Sequence, residues 1–326
     1  VLVSSGAVAY GVLALLPVEL ILNVGSSAGF AMVFSLLTSA IIWNLGTWYF
    51  GLPASSSHTM IGSIMGVGLA NATLKAGSKF GEGVNWSKAQ EVGVSLLLSP
   101  LIGFTAAALL LLLLKRLVKR PDLYREPAKN EPPPLWIRAI LVLTCTGVSF
   151  AHGSNDGQKG MGLILLILIG VVPASFALNP NVDSAAIHRI AERSEPLREA
   201  VSKRAGGAVL SHVEAIDALS SFLKSPGAVD TKTFPALAEV IAHVNGSLAG
   251  KASVADLPPA ERSRVRSEVY LLSESVGKLV RLGELKDPAE REAALEWKSD
   301  LETLTRYIPA WVKIAVALAL GLGTMI

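Results

Sequence analysis

Long apolar runs separated by short polar segments make up most of the first 178 residues. A helix needs about 20 apolar residues to span a bilayer. Runs that approach or reach this length, the first of them shortened, lie at 1–17, 28–50, 92–114, 137–152, 160–178 and 308–326. The Gly-rich run 59–72 is too short to span comfortably, which favours a re-entrant or broken helix. The pattern predicts an all-α polytopic membrane protein.

Residues 179–307 have a different character, since they hold 17 Lys and Arg and 19 Asp and Glu, most of the charge of the chain. Apolar residues recur at helical spacing, as at Val265, Val269, Leu272, Val276 and Val280. Pro258 and Pro259 can open this helix and Gly283 can close it. Other amphipathic stretches run over about 184–224, 235–248 and 288–307. We predict a soluble insertion of three to five helices.

The composition is typical of an integral membrane protein that also has a water-soluble part. Of its residues 51% are hydrophobic and 17% are charged, and the mean hydropathy is +0.49. The net charge of +3 is small and says little about partners. The lack of basic–aromatic clusters argues against nucleic acid as a partner. Cys145 is the only cysteine, so neither a disulfide framework nor a cysteine metal site is expected. The chain starts without Met and ends inside an apolar run, and we expect both ends to be cuts within a longer protein.

The segment 115–138 is basic, with seven Lys and Arg against three acidic residues. By the positive-inside rule we expect this short loop, a linker over 115–136, to be cytoplasmic. The side of the insertion stays open. If 137–152 and 160–178 both cross the membrane, the insertion is cytoplasmic; if together they cross once, it is periplasmic.

The first polar cluster is LPASSSHTMIG, residues 52–62. After Pro53, the hydroxyls of Ser55, Ser56, Ser57 and Thr59 precede an apolar helix. Hydroxyls and free N–H groups at a helix N-terminus can cradle an anion. The alternative is an ordinary N-cap in a loop.

The second polar cluster is AHGSNDGQKG, residues 151–160, between two apolar runs. Charge at that depth is costly and by default marks a binding site or pathway. Gly153, Gly157 and Gly160 would let the backbone leave the helix. Ser154 and Asn155 can donate to an oxyanion. The alternative is an interfacial loop.

The charged residues of this cluster have distinct expected roles. Asp156 can accept a proton from a protonated oxyanion or coordinate a cation, and Lys159 can neutralise Asp156 or meet the charge of the substrate. His152 could serve a proton-coupled step, or be structural. Phosphate keeps a proton near neutral pH and sulfate does not, so a carboxylate acceptor favours phosphate. No P-loop, nucleophile–base set or helical His pair occurs. We therefore predict no enzyme activity, cofactor or metal ligand.

The motifs PASSSHTMIG and FAHGSNDGQKGMG together resemble the PiT family of inorganic phosphate transporters. The resemblance implies two inverted repeats with broken helices, each with a Gly-x-Asn-Asp motif and a hydroxyl motif. GSND at 153–156 matches the second repeat, although Ser154 replaces the usual Ala, and PASSSH at 53–58 matches the first. The partner motifs lie outside the chain, so we expect it to hold half of each site and not to transport alone.

By this resemblance we assign substrate contacts to Ser55, Ser56, Ser57, Ser154, Asn155 and Asp156. Coupling or charge-partner roles are assigned to His58, His152, Gln158 and Lys159. The expected domains are the first-repeat membrane part (1–114), the linker (115–136), the start of the second repeat (137–178), the insertion (179–307) and a membrane helix (308–326).

The resemblance also implies inward phosphate transport across the inner membrane by alternating access and proton symport. The carried species is expected to be a neutral metal–phosphate complex, and a homo-oligomer is possible. Sodium coupling or sulfate transport are alternatives within the family. A membrane-anchored sensor or scaffold built around the insertion, and a membrane hydrolase using Asp156 and His152, are alternatives from other classes.

Overall fold

The part of the chain that the computed structural model describes consists of α-helices joined by turns, two 3₁₀ turns and loops. It comprises residues 26–74, 86–124, 132–225 and 229–323, with positions 2, 6, 9–11, 16, 18–22, 81 and 84. In chain order the helices are α1 (Val18–Leu22), α2 (Ser27–Tyr49), α3 (Ser56–Leu74), α4 (Trp86–Leu117), α5 (Leu135–Val171), α6 (Pro173–Phe176), α7 (Ser184–Ala205), α8 (His212–Lys224), α9 (Thr233–Leu248), α10 (Pro259–Arg281), α11 (Pro288–Thr303) and α12 (Ala310–Gly323). The prediction of an all-α protein is confirmed. The expected span at 1–17 lies mostly outside the described residues. The basic residues Arg125 and Lys129 of the linker lie wholly outside them.

Three of these helices, α2, α4 and α5, are long and apolar enough to cross a membrane. The α12 helix is apolar but shorter. No residue in the most apolar window of α4 or of α5 is buried, and side chains such as Leu112 and Leu143 are 64% and 71% exposed. Such surfaces suit contact with lipid, because water would disfavour so much exposed hydrocarbon.

The expected break in the helix at the second polar cluster is wrong. The α5 helix runs without interruption over 37 residues, which at 1.5 Å per residue is roughly 55 Å. The segments 137–152 and 160–178 are therefore not separate spans; α5 ends at Val171, and Pro173 opens α6.

Two glycines near the cluster allow close packing instead of a turn. A Cβ on Gly162 would lie 2.9 Å from the carbonyl oxygen of Ala9, and one on Gly160 would lie 3.3 Å from Cγ1 of Val316 in α12. Sequence alone does not distinguish this use of glycine from a break in the helix.

Buried apolar side chains hold α5 against its neighbours. Leu166 of α5 packs in one cluster with Leu36 of α2 and Ile64 of α3. Met161 packs in a second cluster with Val312 and Val316 of α12. Together these contacts fix the half of α5 that follows the polar cluster, so that α3 and α12 flank it.

Helices α7 to α11 pack around a single core, which agrees with the predicted helical insertion. Trp297 is fully buried and its indole N–H donates to the carbonyl oxygen of Ile190 at 3.1 Å. The predicted helix between Pro259 and Gly283 is present and begins and ends as expected. The amphipathic stretch 184–224 is two helices, because a turn intervenes at Gly206 and Gly207 with φ of 61° and 80°.

Candidate functional site

The first polar cluster forms the N-terminus of α3. The hydroxyl of Ser55 accepts the backbone N–H of His58 at 3.4 Å, and the Thr59 hydroxyl donates to the carbonyl oxygen of Ser55 at 3.0 Å. Ser55 thus acts as the N-cap that was the alternative interpretation. Ser55, Ser56 and His58 are exposed, whereas Ser57 is partly buried.

The second polar cluster presents its charged groups on one side of α5. Lys159 Nζ lies 2.6 Å from Oδ1 of Asp156, and His152 Nε2 lies 2.8 Å from Oδ2 of the same carboxylate. Spacings of three and four residues place these groups on one helical face. Lys159 and Asp156 are 16% and 23% exposed, while His152 is 75% exposed. The imidazole therefore reaches toward the outside of an otherwise enclosed ion pair.

The two polar clusters meet at Lys159. Its ammonium donates to the hydroxyl of Ser57 as well as to Asp156. We call Ser57, His152, Asp156 and Lys159 the Lys159 cluster. It joins α3 to α5 through side chains 102 residues apart in sequence.

The other predicted contact residues lie at the start of α3 and along α5. Gln158 is buried and its amide donates to the carbonyl oxygen of Ser154 at 3.2 Å. Asn155 is exposed. The roles assigned to these side chains stay predictions.

The Lys159 cluster offers one carboxylate, one ammonium, one hydroxyl and one imidazole to a ligand. An oxyanion could take the hydrogen bonds of Lys159 and Ser57, because an ammonium has three donors and a hydroxyl has one. A proton on the oxyanion could be donated to Asp156. The cluster therefore combines attraction for negative charge with an acceptor that selects a protonated oxygen.

A further group of metal-ligating types lies in the helical insertion. His212, His243 and Glu268 come from α8, α9 and α10, and their ligand atoms lie within 4.8 Å of one another. No metal ligand was predicted from the sequence. The group was missed because its members are up to 56 residues apart and form no local motif.

Apolar helices of spanning length with charged groups held between them define a helical integral membrane protein. The chain belongs to the phosphate transporter family, whose family model matches residues 1–326. It is 39% identical to the low-affinity inorganic phosphate transporter PitA of Escherichia coli and 37% identical to PitB of the same organism. A low-affinity inorganic phosphate transporter of Buchnera aphidicola is 36% identical. Each match covers the whole chain and 67% of the relative. No solved structure matches the chain.

Proposed function

We propose that this chain supplies part of the substrate pathway of an inorganic phosphate permease, with the Lys159 cluster as its phosphate-binding centre. The observation that carries the proposal is the contact of Lys159 with both Asp156 and Ser57, which joins the two polar clusters between apolar helices. The names of the relatives support phosphate as the substrate. Charge buried among apolar helices is costly and is retained where it serves transport.

Lys159 neutralises Asp156, which limits the cost of holding a carboxylate away from water. Phosphate would displace part of this pairing: its charged oxygens take Lys159 and Ser57, and its protonated oxygen donates to Asp156. Sulfate has no proton to donate near neutral pH, so it would face the carboxylate without compensation. Ser55, Ser56, Ser154 and Asn155 would complete the polar surroundings.

The same residues support the proposal that phosphate transport is coupled to a proton. His152 bridges the exposed side of α5 and the partly buried Asp156, so it can carry a proton between the aqueous side and the ion pair. A metal–phosphate complex without net charge would cross at lower desolvation cost than phosphate alone. Sodium in place of the proton is the alternative coupling ion. Alternating access would require α3 and α5 to separate, which breaks the bond from Lys159 to Ser57.

We also propose that α5 crosses the inner membrane once. A continuous helix cannot turn back, so the linker at 115–136 and the insertion at 179–307 would lie on opposite sides. With a cytoplasmic linker, the insertion is periplasmic. The five-part division of the chain belongs to the same proposal.

Uptake of radiolabelled phosphate, in cells that lack other phosphate carriers, tests the proposal with the protein at its full natural length. Asp156→Asn should lower uptake at least tenfold while leaving the amount of protein in the membrane unchanged. Excess sulfate should not compete, an uncoupler should abolish uptake, and removal of sodium should not. Undiminished uptake by Asp156→Asn would refute the site, and competition by sulfate would refute the selectivity.

A further inference from the structure

The buried centre of the helical insertion holds a carboxylate between two imidazoles. Glu268 has a fully buried side chain, with His212 Nε2 at 3.0 Å from Oε1 and His243 Nδ1 at 2.9 Å from Oε2. The two imidazole rings stack with centroids 3.9 Å apart and planes inclined by 27°. We call these three residues the His–Glu–His cluster.

We propose that the His–Glu–His cluster is a binding site for a divalent transition metal ion, with zinc as the best match. Two imidazole nitrogens and one carboxylate oxygen form a ligand set that zinc takes at about 2.0–2.2 Å. Imidazole ligands disfavour magnesium and calcium, which prefer oxygen. The ligand atoms are already within 4.8 Å of one another, so small side-chain rotations would bring them around one ion.

The charge balance of the cluster supports a cation. A fully buried carboxylate is costly without positive charge nearby. Two stacked imidazolium rings would repel each other at this distance. A divalent ion bound by neutral imidazoles would instead supply the charge and leave both rings uncharged.

The residues around the His–Glu–His cluster include a carboxylate near His212 and an adjoining cavity. His212 Nδ1 is buried and makes no hydrogen bond within the described structure. It lies 3.9 Å from the carboxylate Oε1 of Glu239. Metal-bound imidazoles commonly donate their second N–H to such a carboxylate. A cavity of about 670 Å³ has His212 and Glu268 in its lining. The imidazoles of His212 and His243 are 27% and 29% exposed, so an ion would approach from the histidine side.

The site is distinct from the Lys159 cluster and does not depend on phosphate transport. Its ligands lie on α8, α9 and α10, so a bound ion would tie three helices of the insertion together. Binding to the folded form alone would raise thermal stability in proportion to the logarithm of ion concentration.

Zinc titration of the full-length protein in detergent, after chelator treatment and in phosphate-free buffer, tests the proposal. Calorimetry should show one saturable site, and the melting temperature should rise with zinc but not with magnesium. Cobalt substitution should give the visible absorption of a nitrogen-ligated ion. Absence of saturable zinc binding would overturn the site.

Variants separate this site from other sources of binding. His243→Asn should weaken zinc binding by more than about 100-fold, and Glu239→Gln by about tenfold, as expected for an outer-shell partner. His188→Asn, at an exposed histidine of α7, and Asp156→Asn should bind zinc as the unaltered protein does. Equal binding by His243→Asn and the unaltered protein, or equal losses in His243→Asn and His188→Asn, would refute the proposal. The obvious variant, Glu268→Gln, removes a fully buried charge and can prevent folding. The decision therefore rests on His243→Asn.

Discussion

The ammonium of Lys159 in α5 donates to the hydroxyl of Ser57 in the first turn of α3. The same ammonium pairs with Asp156. One side chain therefore holds together two motifs that lie 102 residues apart, and it does so between apolar helices. Predictions about substrate binding follow most directly from this contact.

Replacing Lys159 should abolish most phosphate uptake. Lys159→Met keeps the apolar length of the side chain but leaves Asp156 without its neutralising partner and phosphate without a donor. Loss of one hydrogen bond to a charged group costs about 1.5–3 kcal/mol, so we expect uptake to fall at least tenfold. Lys119→Met, at an exposed position after α4, is the control. Similar uptake by the two variants would contradict the role of Lys159.

Two serines of the first polar cluster, Ser57 and Ser56, should differ in their importance for phosphate binding. Ser57→Ala removes the hydroxyl that contacts Lys159, whereas Ser56→Ala alters an exposed residue of the same turn. A hydrogen bond to a charged group contributes about 1.5–3 kcal/mol, so Ser57→Ala should raise the KM for phosphate by roughly ten- to 100-fold. Ser56→Ala should change it less. The reverse order would show that the contact of Ser57 with Lys159 is not part of the phosphate site.

Close helix packing should make Gly162 intolerant of a side chain. Its added Cβ would meet the backbone of Ala9 at 2.9 Å, and overpacking costs about 1–3 kcal/mol. Gly162→Ala should therefore lower the melting temperature in detergent. Gly147→Ala, in the same helix with no atom within 4 Å of the added Cβ, should be neutral or stabilising, because Ala favours a helix over Gly by up to about 1 kcal/mol.

Local features of the fold could be predicted from the sequence, since they depend on neighbouring residues. The apolar run that became α2 and the Pro259 start of α10 are examples. The unbroken course of α5 across its glycines could not be predicted from the sequence, because glycine occurs both at turns and at close contacts between helices. That choice depends on Ala9 and Val316, which lie far away in sequence.

The site could be predicted in part. The residue types of both polar clusters indicated an oxyanion, but the contact of Ser57 with Lys159 depends on the packing of α3 against α5. The His–Glu–His cluster left no local signal, because its members lie on three different helices, up to 56 residues apart in sequence.

The stability of the insertion should depend on ionised Glu302. Burial raises the pKa of this carboxyl, but hydrogen bonds from Lys298 and Ser273 and the charges of Lys298 and Arg306 outweigh it and lower the pKa below the usual value. A lowered folded-state pKa contributes stability above the unfolded-state pKa, and this contribution is lost as pH falls through the folded-state pKa.

Glu302→Gln should consequently destabilise the protein at neutral pH by about 1.5–3 kcal/mol, the range for hydrogen bonds to a charged group. The difference from the unaltered protein should shrink on acidification through and below the usual glutamate range. Glu199→Gln is the control, because Glu199 pairs with Lys203 on the exposed side of α7 and should have little effect. A destabilisation that does not change with pH would contradict the assignment.

The continuous course of α5 predicts that the segments before and after it face opposite sides of the membrane. Lys119 and Glu195 are exposed residues on either side of α5, in the linker and in α7. In a background without reactive cysteines, in which Cys145 of this chain is replaced by Ser, Glu195→Cys should react with a membrane-impermeant maleimide in right-side-out vesicles. Lys119→Cys should react only after permeabilisation, because the basic linker is expected inside. Labelling of both cysteines from the same side would mean that α5 does not make a single crossing, and the insertion would then share the compartment of the linker.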